Sequence, residues 1–239
     1  TLQMLNAGYD DALAYLRPGL TLCNARGVHD ASTAELAVGL AIASRRGFPE
    51  FMREQIAGRW SHHRTSSLSD SKIGIIGYGS IGKKIAQNLS GFEVSITAFT
   101  QSGRDGSLTI DQLDSHLPQL DIVILILPLS DSSRHLFNAK RLAAMKDGAL
   151  LINVARGPVV DTDALVAELN SGRIYAALDV TDPEPLPAGH ALWSAKNLLL
   201  VPHVGGNSDA FEPRGRALVE SQLKLLAAGS PLEHVVAQG

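Results

Sequence analysis

The chain has 239 residues, 45% hydrophobic and 5% aromatic, enough to fill a core and to exclude wholesale disorder. Lys plus Arg number 21 against 24 Asp plus Glu, a net charge of -3. That balance excludes a general nucleic-acid binder and a polybasic membrane-surface protein. The densest apolar runs, Leu36 to Ala43 and Ile122 to Leu129, are far too short to span a bilayer.

In chain order, strands are predicted at Gln3–Leu5, Thr21–Asn24, Lys72–Ile76, Val94–Phe99, Ile122–Leu127, Ala149–Val154, Ala176–Val180 and Leu198–Val201. The later ones are continuous apolar runs, the pattern of strands covered on both faces. A helix over Thr33–Arg46 opens with Ser32 and Glu35 at capping-box spacing. Its body is apolar nearly all round, which predicts burial on more than one side, at a domain junction or a subunit interface. Ser61–Lys72 is polar and Ser-rich and reads as a loop. Further helices are predicted at Ile81–Leu89, at Ile110–Leu117, at Ala139–Met145 after the N-cap Asn138, and at Asp163–Asn170 before the C-cap Gly172. A terminal amphipathic helix over Ser208–Ala228 is interrupted near its start by Pro213. This alternation predicts an α/β fold with a doubly wound parallel sheet.

Gly77-Tyr-Gly79-Ser-Ile-Gly82 follows one strand and opens one helix. Gly77 permits the tight turn, Gly79 lets the backbone approach a pyrophosphate, and Gly82 lets helix pack on strand. Dinucleotide binding at Gly77 to Gly82, Ser80 and Ile81 included, is therefore expected. At the end of the next strand, NAD sites place an acidic residue for the ribose. Here that position is Thr100, followed by Gln101, Ser102, Gly103 and Arg104. Hydroxyls with a nearby cation suit a 2′-phosphate better than a bare diol, so NADP is preferred over NAD, with Thr100 and Arg104 as the readers. The alternative is that Arg104 points into solvent.

Three strand ends carry the remaining chemistry. Arg156 follows Asn153-Val-Ala, and is either a structural ion-pair partner or a planar fork for a substrate carboxylate. Glu184 lies five residues after Asp179, and His203 follows Val201-Pro. Each alone reads as structural; together they allow a His acid/base partnered by a carboxylate. Tyr9 and His29 lie near the expected cleft, as specificity residues or as surface loop residues. His62 and His63 lack further ligands at metal spacing, so no metal is expected.

The chain resembles the D-isomer-specific 2-hydroxyacid dehydrogenases. The matching segments are Asn6-Ala-Gly8-Tyr-Asp10, Asn24-Ala-Arg-Gly-Val, Ser32-Thr-Ala-Glu-Leu36, Gly58-Arg-Trp60, the glycine turn, Leu127-Pro-Leu, Asn153-Val-Ala-Arg-Gly157, Ala177-Leu-Asp-Val180, Glu184-Pro-Leu-Pro and Pro202-His-Val-Gly-Gly206. The resemblance implies a Rossmann-type NAD(P)-binding domain with remnants of a flavodoxin-like substrate domain. It implies hydride transfer between a nicotinamide cofactor and a small 2-oxo or D-2-hydroxy acid of the glyoxylate or hydroxypyruvate type. Arg156, Glu184 and His203 are then catalytic, with Arg156 and His203 also touching substrate and cofactor. Ala7 and Gly8 hold the substrate carboxylate. Thr33, Leu127, Pro128, Val154, Ala155, Asp179 and Gly205 line the cofactor. Formate dehydrogenases of the family carry Gln at the Glu184 position, so Glu184 favours 2-hydroxy acid chemistry.

By the same resemblance, residues 1–30 are a partial substrate domain, 31–206 the dinucleotide-binding domain, and 207–239 a helix returning to the first. Several strand–helix units that the family places before Thr1 are then absent. The Thr33–Arg46 helix is then a connector between domains, and the apolar surface around it contributes to a homodimer. The single cysteine, Cys23, allows no internal disulfide, and no signal-peptide pattern is visible, so a cytoplasmic location is expected. The alternatives are a D-3-phosphoglycerate-type NAD dehydrogenase and an inert nucleotide-sensing scaffold.

Overall fold

The computed structural model describes residues Thr1–Gly239. Two short parallel strands, β1 (Leu2–Gln3) and β2 (Thr21–Cys23), begin the chain. Two helices follow, α1 (Asp30–Arg45) and α2 (Phe48–Ile56), separated by Gly47 in the left-handed region at φ 68°. Then come β3 (Lys72–Ile76), α3 (Ser80–Leu89), β4 (Ser95–Thr100), β5 (Leu108–Thr109), α4 (Leu113–His116), β6 (Ile122–Leu125), α5 (Ala139–Ala144), β7 (Leu150–Asn153), α6 (Thr162–Ser171), β8 (Tyr175–Leu178) and β9 (Leu198–Leu200). The chain closes with α7 (Phe211–Ala227) and β10 (Val235–Gln238).

Strands β3 to β9 form one seven-stranded sheet in the order β5-β4-β3-β6-β7-β8-β9. Every pairing in it is parallel. The order reverses between β3 and β6, so the chain switches sides of the sheet there and leaves a crevice at the strands' carboxyl ends. All residues of β6 and β7 are buried, as continuous Ile-Val-Ile-Leu and Leu-Leu-Ile-Asn runs require. One face of the sheet packs on α4, α5 and α6, through Phe99, Phe137, Leu142 and Leu165 among others. The other packs on α1 and α3, where Ala37, Leu40 and Ala41 meet Ile73, Ile75, Ile85 and Leu89.

The remaining strands form a three-stranded sheet, β1-β2-β10, with β10 antiparallel to β2. Helix α7 is tied to it by the buried Gln222, which donates to Gln3 and to the Glu233 carbonyl.

Several boundaries differ from expectation. Helix α1 begins at Asp30, one turn early: Asp30 accepts the Gly27 N–H at 3.2 Å, and the Thr33 N–H already reaches the His29 carbonyl at 2.9 Å. Ser32 is therefore not a cap; its hydroxyl meets that of Ser208 at 2.7 Å. The Ile110–Leu117 helix is broken into 3-10 turns on either side of the four-residue α4. Pro213 does not interrupt α7, because it sits in the first turn, where its missing N–H costs nothing. Helix α2 and strands β5 and β10 were not anticipated; β5 has only two residues, too few for a pattern.

Candidate active site

The glycine turn meets its geometric demands. Gly77 has φ 105°, and a side chain there would stand 2.3 Å from the Ile126 carbonyl oxygen. At Gly82 it would stand 2.2 Å from the Gly77 carbonyl oxygen, so helix α3 sits directly on the turn. At Gly79 nothing lies within 4 Å. Its open backbone faces a cleft of about 820 Å³ at the carboxyl ends of the strands, together with Ser80, Ile81 and Gly82. A glycine with free space above it at a helix N-terminus is a cradle for a pyrophosphate, so these residues fit a dinucleotide.

The same cleft is lined by Ala7, Gly8, Thr33, Leu127, Pro128, Val154, Ala155, Arg156, Asp179, Glu184, His203 and Gly205. Residues as far apart in sequence as Ala7 and Gly205 thus line one cleft. Gly77 shapes the turn from beneath and does not line the cleft. Thr100 and Arg104 do not line it either. Thr100 is buried and shares a hydrogen bond of 2.8 Å with the Ser107 hydroxyl. Arg104 is exposed and makes no side-chain bond.

His203 stands in the left-handed region at φ 52°. Its Nδ1 lies 2.5 Å from Glu184 Oε1. Against a carboxylate Nδ1 is the donor, which leaves Nε2 for the cleft. Glu184 is held in turn by the Thr181 N–H, 3.3 Å from its Oε2. The His203 loop is folded by Asp179. This buried carboxylate accepts the N–H groups of Val204 at 2.6 Å and Gly205 at 3.0 Å, while its carbonyl accepts the His203 N–H at 2.7 Å. Burial pushes the Asp179 carboxyl up, and the two N–H donors oppose the shift. Gly205 is required, since a side chain there would lie 2.7 Å from Asp179 Oδ2.

Arg156 is positioned by Asn153, a buried residue that sequence reasoning left without a role. Asn153 donates to the Arg156 carbonyl at 2.9 Å and accepts from the Ala155 N–H at 3.0 Å. Of the two readings of Arg156, the structure shows the ion pair. Its guanidinium pairs with Asp10 at 3.4 Å and still faces the cleft, pressed against Gly8, where any side chain would collide with it. The Ala7 carbonyl is fixed by Asn24, buried, at 2.7 Å. His29 bridges the two walls. Its Nε2 lies 2.7 Å from the Leu5 carbonyl, its Nδ1 3.2 Å from that of Gly206, and its ring stacks on Phe211 at 5.2 Å. Asp10, Asn24, Asn153 and Phe211 were missed because their role exists only across chain separations that no local pattern reports.

No group of three or more His, Cys, Asp or Glu side chains gathers to hold a metal. His63 instead lies 3.6 Å from Glu50 and packs on Phe51. No helix is long and apolar enough to cross a membrane.

Comparison with known proteins gives the chain a family. The family model "D-isomer specific 2-hydroxyacid dehydrogenase, NAD binding domain" matches residues 38–205. A glyoxylate reductase of Thermofilum pendens is 36% identical over 237 residues, covering 93% of this chain and 69% of the relative. A hydroxypyruvate reductase of Thermotoga maritima is 34% identical over 217 residues, covering 87% and 71%. Among solved structures, a D-isomer specific 2-hydroxyacid dehydrogenase of Xanthobacter autotrophicus Py2 in complex with NADPH and MES superposes with a TM-score of 0.84 at 31% identity, covering 99% of this chain and 78% of that one.

Proposed function

The chain belongs to the D-isomer specific 2-hydroxyacid dehydrogenases, and on that premise we propose that it reduces a small 2-oxo acid of the glyoxylate or hydroxypyruvate type. It is an NAD(P)-linked oxidoreductase of the CH–OH group. The observation that carries the reading is the convergence of Arg156, the Glu184–His203 pair and the open Gly79 cradle on one cleft.

A nicotinamide dinucleotide, when bound, supplies the hydride. The chain's own residues do the rest. The Arg156 fork binds the 2-oxo acid and stabilises negative charge growing on its carbonyl oxygen. The backbone at Ala7 and Gly8 receives the carboxylate. Protonated His203 gives its Nε2 proton to the carbonyl oxygen, and Glu184, on Nδ1, orients the ring and stabilises its charged form. Asp179 keeps the His203 loop folded and Asn153 keeps Arg156 aimed.

The preferred cofactor in this reading is NADPH: β4 ends on Thr100, not on a carboxylate, and a cation, Arg104, stands free on the following loop. A homodimer is supported by α2 and the residues after it, where Phe48, Met52, Ile56 and Trp60 are all exposed. A cytoplasmic location fits the one free thiol, Cys23.

The test is an absorbance assay at 340 nm with glyoxylate or hydroxypyruvate, run separately with NADPH and NADH. Turnover that favours NADPH is expected. Turnover with NADH alone would overturn the cofactor preference, and none with either would overturn the substrate class.

A further inference from the structure

An ion pair that the mechanism does not use joins helix α3 to the loop after β4. Lys83 follows the last glycine of the turn and lies in the first turns of α3. Its Nζ is 2.8 Å from Oδ2 of Asp105, on the loop after β4. That loop is folded back toward α3 by three left-handed residues, Gly103 at φ 66°, Asp105 at φ 57° and Gly106 at φ 76°. Its base is closed by Ser107, whose N–H and hydroxyl both reach the Arg104 carbonyl, at 3.0 and 2.6 Å. The strands beneath are neighbours: β3 pairs with β4, and the Gly77 N–H donates to the Phe99 carbonyl at 2.8 Å. The pair therefore spans the glycine turn and the end of the second strand, the interval in which this fold class reads the adenosine ribose.

We propose that Lys83 and Asp105 together read the 2′ position, with Asp105 as an internal stand-in for a 2′-phosphate and Lys83 as the receptor of both. The inference rests on the reading of the cleft as a dinucleotide site. Three features support it. The carboxylate absent at Thr100 is supplied from the loop, five residues on. The hydrogen bond and charge of Lys83 hold the Asp105 carboxyl below the usual range, so the stand-in is an anion. Both side chains are about half exposed, at 50% and 47%, so an incoming group can reach them and the fold does not depend on their contact.

The two anions compete for one ammonium. A 2′-phosphate carries more charge and more acceptor oxygens than a carboxylate, so it displaces Asp105 from Lys83, leaving Arg104 beside it as a second cation. A bare 2′-hydroxyl leaves the ion pair intact and donates to Asp105. The pair thus serves both cofactors and sets their ratio.

The test is calorimetric titration of the whole chain with two fragments, adenosine 2′,5′-bisphosphate and 5′-AMP. Asp105→Asn is expected to tighten the bisphosphate about tenfold and to weaken 5′-AMP a few-fold, and Lys83→Gln to weaken the bisphosphate about tenfold with 5′-AMP changed less than twofold. The ratio of kcat/KM for NADPH over NADH moves in the same directions. Binding of both fragments with an unchanged ratio in the two variants would overturn the role of the pair alone. Binding of neither fragment to the unsubstituted chain would overturn the dinucleotide reading and the pair with it. An unsubstituted chain that prefers NADH would remove the NADPH preference but leave the two shifts as the measure of the pair.

Discussion

Helices α1 and α2 are consecutive and both carry large apolar side chains, yet they have opposite fates. In α1, six residues are buried, among them Ala37, Leu40 and Ala41, because the sheet and α3 cover it from two sides. In α2 none is buried, and Met52 and Ile56 are 62% and 85% exposed. The nearly all-apolar α1 was expected to lie at a domain junction or a subunit interface; in the structure the sheet and α3 of the same chain cover it, and the uncovered apolar surface is on α2. Apolar content measures how much surface a segment must hide, not whether the hiding place lies in the same molecule.

Stability therefore rests on the sheet with α1, and the proposed association on α2. The largest effect expected is at the sheet's lip. His203→Ala should lower kcat by about a thousandfold while NADPH binding, followed by fluorescence, stays within a few-fold. Equal loss of both would remove the acid/base role. Next, Leu40→Ala opens a cavity between α1 and the sheet and should cost about 2–5 kcal/mol in urea denaturation. A cost under about 1 kcal/mol would mean that α1 is not core. Arg156→Lys keeps the charge but loses the fork, and should lower kcat/KM by roughly 10–100-fold; full activity would show that charge alone suffices.

Smaller effects lie at the opposite end of the sheet and on α2. Burial pushes the Asp121 carboxyl up, but the Lys146 ammonium at 2.6 Å and the Lys72 N–H at 2.8 Å outweigh it and hold it below the usual Asp range. Its contribution is therefore present above that range and is lost as pH falls through the folded value. Asp121→Asn should cost at most about 1 kcal/mol at neutral pH, with the difference closing in acid. A difference that widened in acid would contradict the sign. The smallest change in folding stability is expected from Ile56→Ser, within about 0.5 kcal/mol, although sedimentation should show the dimer weakened. A stability loss as large as that of Leu40→Ala would erase the contrast between the two helices.

The local chemistry of the chain was legible wherever it is local. The glycine turn, the Asn138 and Gly172 caps and the buried strands follow from side-chain size, backbone freedom and periodicity over a few residues. Helix α2 was not, because its stripe of Phe48, Met52 and Ile56 is short and flanked by Gly47 and a polar loop. The surroundings of Thr100 were not legible for a related reason. Its position at a strand end is visible in the sequence, but its hydroxyl's partner, Ser107, is set by how the next loop folds back.

The sequence by itself determined the parallel sheet, the phosphate cradle and the residue types of an acid/base pair, since each depends on neighbours within one turn or strand. Only the tertiary structure decided that Glu184 meets His203, that Arg156 shares its charge with Asp10, and that Lys83 is held by Asp105. Those meetings depend on the order of strands in the sheet, which brings distant loops to one edge. That order is a property of how whole layers pack, and no stretch of the chain carries it alone.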